Sequence, residues 1–280
     1  MNTRILLALA LPLGATTGFA DTILYRETFG NTGGNQLYSF SGWALHSVSS
    51  TNVVNVRTAD TNQGIGPAVG KPTAAEFTNV GAGTTVSTNN GLAYLQLQSN
   101  FGAQFGAGAA ALAWTNEHVA NGATFTTGQI GSISFYLGNG STGTPVKIAI
   151  QVGGAWYVSA ADFTSDLAVS SAADFNARAT EKTFTFTRDA AAWRTLNFTP
   201  GSNPLQDNGA GNLAVGGSSL VANLIDGNVT AFGFFVPSGA TATVRVDTFT
   251  ITAIPEPSTF AALAGFGALG CAALRRRARR

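Results

Sequence analysis

The chain has 280 residues with 15 Lys and Arg against 14 Asp and Glu, and charged residues make up only 10% of it, where about a quarter is usual. Six of the cations are Arg4 and a C-terminal cluster, so residues 21–254 hold nine basic against thirteen acidic side chains, a net charge of −4, and no basic patch remains for nucleic acid. With Cys271 as the only cysteine and His46 and His118 as the only histidines, a disulfide scaffold and a Cys/His zinc site are both excluded.

Met1 to Ala20 carries a lone charge at Arg4, an apolar stretch from Ile5 to Leu13, and small residues Gly18 and Ala20 around Phe19. This is the layout of a secretory signal peptide, a short helix removed by signal peptidase before Asp21. Strand signals follow from Thr22 onward: β-branched and aromatic residues, period-two alternation, and turn residues between runs. The predicted strands are Ile23 to Phe29, Leu92 to Gln98, Ile130 to Leu137, Val146 to Val152, Ala155 to Ser159, Thr183 to Thr187, Trp193 to Phe198, Val229 to Val236 and Thr241 to Thr252. Asn52 to Asn90, rich in Gly, Thr and Asn, predicts a long connection with one or two irregular strands. Gly153-Gly154 predicts a tight hairpin, and Ser171 to Ala179 one short surface helix. Many strands with few helices point to an all-β domain over 21–253, a single jelly-roll-like β-sandwich.

The last segment has three ordered parts. Ile254-Pro255-Glu256-Pro257-Ser258 leads into the apolar run Phe260 to Leu274, which ends in Arg275, Arg276, Arg277, Arg279 and Arg280. Prolines break the chain, the run reads as a short transmembrane helix, and the arginines stay on the cytoplasmic side. Fifteen residues, rich in Ala and Gly, fall short of the roughly 20 that span a bilayer comfortably. A plain membrane anchor is the competing reading, but it requires no Pro-Glu-Pro. The order and letters of residues 254–280 resemble the PEP-CTERM sorting signal, which an exosortase, a membrane-embedded cysteine transpeptidase, recognises and removes. The resemblance implies that Pro255, Glu256 and Pro257 form the recognised motif and that the five arginines retain the tail. It also implies transient membrane anchoring in a Gram-negative-type envelope, then release to the cell surface or extracellular matrix in association with exopolysaccharide.

The middle of the chain resembles the lectin-like and carbohydrate-binding sandwiches of secreted bacterial proteins. The likeness rests on Tyr25 to Asn31, on Gly154-Ala155-Trp156-Tyr157-Val158, and on Phe232-Gly233-Phe234-Phe235 with Val244 to Phe249. In such folds the first and last strands lie side by side. Trp156 and Tyr157 are the candidate glycan-binding residues, since a flat ring stacks on the C–H face of a sugar. Most other aromatics are expected in the core. Glu27 and Asp247 are candidate ligands for a structural calcium if the end strands adjoin, with carbonyls of residues 30–34 completing an oxygen shell. The alternative is Asp247 as an exposed strand residue or an ion-pair partner of Arg26.

No Asp or Glu pair has the i, i+2 strand spacing that a glycosidase uses, and no G-x-S-x-G elbow accompanies His46 or His118. Glu117-His118, read as strand, places its two side chains on opposite faces. No catalytic residue is therefore assigned. The expected function is that of a non-catalytic, glycan-binding surface protein. A structural coat protein with buried tryptophans is the alternative, and a glycan-degrading enzyme comes third.

Overall fold

The computed structural model describes residues 22–27, 43–48, 54–56, 64–65, 95–98, 110–120, 122–169, 172–199, 212–239 and 242–254. Its strands are β1 Ile23–Glu27, β2 Trp43–Val48, β3 Val54–Val56, β4 Gly64–Ile65, β5 Leu95–Gln98, β6 Ala111–Thr115, β7 Ile130–Leu137, β8 Lys147–Val152, β9 Ala155–Ser159, β10 Thr180–Thr185, β11 Trp193–Thr199, β12 Asn212–Val215, β13 Val229–Val236 and β14 Thr243–Ala253. Two short α-helices accompany them, α1 Glu117–Ala120 and α2 Ala172–Arg178. Strands β7, β9 and β13 have the bounds that the strand signals predict, and α2 lies inside the predicted helix. Gly153 and Gly154, at φ +58° and +83°, make the two-residue turn between β8 and β9. Strand β6 escaped prediction because Ala-Leu-Ala-Trp-Thr opens on residues of weak strand preference.

The strands form two antiparallel sheets. One runs β10-β7-β14-β5-β4, with β1 also paired to β14; the other has eight strands in the order β12-β11-β9-β8-β13-β6-β2-β3. Their facing sides share the main core, in which Phe232 and Phe234 of β13 meet Phe249 of β14 at ring-centroid distances of 5.1 and 5.2 Å. Tyr25, Trp43 and Phe135 close around them.

Strand β14 occupies the middle of the smaller sheet, and one irregularity organises it. Thr243 to Val246 pair with β5, whereas Phe249 to Thr252 pair with β1, so the first and last strands do lie side by side. Between them Thr248 takes a positive φ of 49°, costly for a β-branched residue, and the register with β7 shifts. This is a β-bulge, and it changes which residues face the core. Val244 and Val246 point inward before it, Phe249 and Ile251 after it. Without the extra residue, Thr248 and Thr250 would take the core positions.

The polar side of β14 is also covered, against the alternation-based expectation of a half-buried strand. Arg245 is buried and donates from Nη1 to the Val169 carbonyl at 2.8 Å, beneath a small cluster of Val169, Phe175 and Ala179 that α2 brings over the sheet. Asp247 and Thr250 are buried as well. Glu117 and His118 lie on α1 and not in a strand; the Glu117 N–H donates to Thr115 Oγ1 just before the helix.

The larger sheet corrects the predicted jelly-roll sandwich. Five inter-strand steps separate β11 from β2, about 24 Å in a flat sheet, yet the rings of Phe198 and His46 are 4.7 Å apart. Trp114 on β6 and Trp156 on β9 are three steps apart and stand at 5.7 Å. The sheet curls on itself like part of a barrel and carries a second apolar cluster on its own concave face. A jelly roll of two sheets with one shared core is therefore replaced by a mostly β-sheet fold with a curled sheet and two cores. Where β8 and β13 cross the bend, Ala149 and Ala231 lie on the concave side, and Phe235 is the one large β13 residue in that cluster. At Gly233 the backbone of β6 comes so close that a Cβ would lie 1.9 Å from the Ala113 carbonyl oxygen.

The expected membrane helix is corrected too. Among the described residues no helix is long and apolar enough to cross a membrane, so neither a short transmembrane helix nor transient anchoring through it is carried forward. The apolar run itself gives the reason: fifteen helical residues rise about 22 Å against a hydrocarbon core of about 30 Å. That run, the signal helix over 1–20, and Pro255, Glu256, Pro257 and the five arginines lie outside the described residues.

Gly233→Val is expected to lower stability by about 3 kcal/mol through overpacking against backbone. Gly217→Ala, where nothing stands within 4 Å, leaves the urea midpoint unchanged. Equal midpoints for the two variants would show that the curl does not need this close approach.

Candidate functional site

Strands β9 and β11 pair only over Trp193↔Ser159, Arg194↔Val158 and Thr195↔Tyr157. From Leu196 onward β11 runs beside β12. Gly216 permits the change of partner: its N–H donates to the Thr195 carbonyl at 2.8 Å, and a Cβ there would meet Thr195 Oγ1 at 2.4 Å. Beyond Thr195 the strands fork, and a pocket of about 380 Å³ opens between them. Gly154, Ala155, Trp156 and Tyr157 line one side, and Thr195, Leu196, Asn197 and Phe198 the other.

Alternation sorts these side chains by face. Trp156, Leu196 and Phe198 belong to the concave cluster, whereas Tyr157 packs partly against the main core. Trp156 is only 7% exposed, and its indole meets Trp114 and Phe198 edge-on at 5.7 Å each. Thr195 and Asn197 are exposed at the rim. The two candidate glycan-binding residues thus line one pocket from different faces, Trp156 as a buried wall and Tyr157 as a half-buried one. A volume near 400 Å³ is typical of small-ligand sites, and aromatic walls beside an amide and a hydroxyl suit a polyhydroxylated ring.

Behind the pocket, His46, Trp114, Trp156 and Phe198 form an aromatic box across the curl. His46 Nδ1, Trp114 Nε1 and Arg194 Nε are buried there without hydrogen-bond partners. Desolvation holds the His46 pKa down at about 4, so its ring is neutral at neutral pH.

The proposed calcium ligands fall elsewhere. Glu27 faces Phe249 across the β1–β14 ladder, two positions beyond Asp247, and both carboxylates are buried. Asp247 Oδ1 accepts the Thr248 N–H at 2.6 Å, and Tyr25 Oη donates to Glu27 Oε2 at 3.4 Å. Burial, with Glu27 and Glu117 nearby, raises the Tyr25 pKa well above its ordinary value. Among the described residues no group of three or more His, Cys, Asp or Glu could hold a metal ion. His118 is buried at the main core, with Nε2 2.9 Å from the Val229 carbonyl. Burial lowers its pKa, and the Val229 contact opposes that shift.

Sequence reasoning missed Arg194, Thr195, Asn197 and Phe198. The run Trp-Arg-Thr-Leu-Asn-Phe-Thr alternates cleanly, but nothing in it marks where β11 changes partner. The alternation assigns Arg194, Leu196 and Phe198 to one face, which is the legible part of the signal.

Residues 253–277 match the PEP-CTERM protein-sorting motif. The chain is therefore a substrate for export through the exosortase pathway, destined for the surface or the extracellular space. No curated protein and no solved structure matches it significantly.

A neutral His46 makes stability depend on pH. Its pKa falls from an ordinary 6.5 to about 4 on folding, so between those values the unfolded chain binds the extra proton. The contribution is fully present above pH 6.5 and is lost as pH falls toward 4, about 3 kcal/mol in all. His46→Phe keeps a ring in the box and is expected to flatten this part of the urea-midpoint profile; an unchanged slope would place the titration elsewhere.

Proposed function

We propose that this exported, exosortase-sorted protein binds extracellular polysaccharide without turning it over, and that the fork between β9 and β11 is where a sugar unit sits. The observation that carries the reading is the open pocket of about 380 Å³, walled by Trp156, Tyr157 and Phe198 and rimmed by Thr195 and Asn197. A pyranose offers an apolar C–H face to the rings and hydroxyls to the amide and the hydroxyl. The lining supplies stacking and hydrogen bonding, which is the chemistry of binding. Destination agrees with this role, because a surface protein meets the polymer matrix directly.

A structural coat protein with no ligand is the second reading, favoured by one observation: Trp43, Trp156 and Trp193 are all at least nine-tenths buried. In that case the aromatic content serves the two cores, and the rim residues have no partner to meet.

The test uses the rim, because truncating Trp156 would cost about 3–5 kcal/mol of packing and confuse binding with folding. Pull-down on a polysaccharide panel is expected to retain the wild-type protein. An Asn197→Ala, Thr195→Val double variant should bind about tenfold more weakly, near 1.4 kcal/mol for two lost hydrogen bonds. Binding unaffected by the double variant would move the site away from the fork. No retention on any polymer would favour the coat protein.

A further inference from the structure

Seven cationic side chains lie among the described residues of the domain, and six have visible work. Lys147 pairs with Asp162 at 2.8 Å, Lys182 with Asp166 at 2.6 Å and Arg188 with Asp226 at 3.8 Å. Arg178 donates to the Ala168 carbonyl, Arg245 to that of Val169 and Arg26 to Thr250 Oγ1. Arg194 is the exception among the described residues. It makes no ion pair and no hydrogen bond, and its Nε is buried.

It stands beside the pocket, one residue before Thr195, the first residue of β11 in the lining. Arg194 lies opposite Val158 in the β9–β11 ladder, next to the last pair before the fork. Val158 faces the concave cluster, so Arg194 shares that face with Trp156, its diagonal neighbour across the two strands. Diagonal positions stand roughly 7–8 Å apart, within reach of a side chain as long as arginine. A half-buried guanidinium with an unpaired donor, next to an aromatic wall, is suited to a planar anion that accepts two parallel hydrogen bonds.

From this we infer that Arg194 selects a carboxylate-bearing sugar, so that the ligand at the fork is an acidic polysaccharide of the uronic acid class; this rests on the glycan-binding reading above. A carboxylate at the half-buried guanidinium supplies the charge partner that Arg194 lacks. The domain's net charge of −4 works against attraction of a polyanion at long range. Recognition is consequently local, one carboxylate at one guanidinium, and differs from the many-contact binding of a basic protein to a polyanion.

A matched pair of polymers separates carboxylate recognition from general sugar binding: polygalacturonate, and the same backbone with its carboxylates fully methyl-esterified. Full-length protein, Arg194→Gln and Asn197→Ala are compared on both, beside a panel of neutral polysaccharides, with urea midpoints checking that each variant is folded. The expected result is at least tenfold tighter binding of wild type to the acid than to the ester. In Arg194→Gln that ratio should fall to about one, while Asn197→Ala should weaken binding to both polymers. Equal binding to acid and ester, a preference that survives Arg194→Gln, or binding to neutral polymers alone overturns the role of Arg194 and leaves the glycan reading standing. No binding to any polymer overturns both.

Discussion

The close approach of β6 to β13 at Gly233 is the constraint on which the candidate site depends. With no side chain there, the Ala113 carbonyl can sit where a Cβ would otherwise be. The larger sheet then bends toward the face on which Ala149 and Ala231 lie beside it. The bend carries β2 and β6 toward β9 and β11, and only then do His46, Trp114, Trp156 and Phe198 meet. A flat sheet would hold these rings well apart and would leave Trp156 on an open surface. The same curvature buries polar nitrogens that a flatter sheet would leave to water. That arrangement explains why His46 stays neutral and why Arg194 Nε has no partner.

The second organising feature is the bulge at Thr248. It lets one long strand serve two partners, β5 and then β1, and keeps Phe249 in the main core after the change. It also joins the ends of the fold. The Ala253 N–H donates to the Thr22 carbonyl at 2.7 Å, and the Ile254 N–H to that of Gln129 at 2.9 Å. The match to the sorting motif begins at residue 253, so its first two residues are hydrogen-bonded at the end of β14. Export and folding therefore meet at one place in the chain, at the end of β14.

Much of the strand pattern was legible because period-two alternation follows directly from a sheet with two unlike faces. It worked for β7, whose two faces differ, whereas β13 is buried on both faces and was legible from its aromatic and β-branched content. It failed on β14, where Asp247 and Thr248 put two polar residues in succession and α2 covers a face that the pattern assigns to water. It also failed at Glu117 and His118, since four residues of helix are too few to show a period. Trp156 and Tyr157 were singled out by type and adjacency. Their roles in the pocket depend on a fork that is created by a change of partner, and local sequence carries no mark of partner.

The sequence by itself determined the destination of this protein, because a sorting signal is read as a linear order of prolines, apolar residues and arginines that needs no fold. It also determined the β-rich class and the absence of a disulfide scaffold, which follow from local preference and composition. Only the tertiary structure decided the curl, the bulge that reassigns β14, and the fork beside Arg194. Each of these rests on contacts between residues far apart in the chain, whose energies depend on distance in space and leave no period in the sequence.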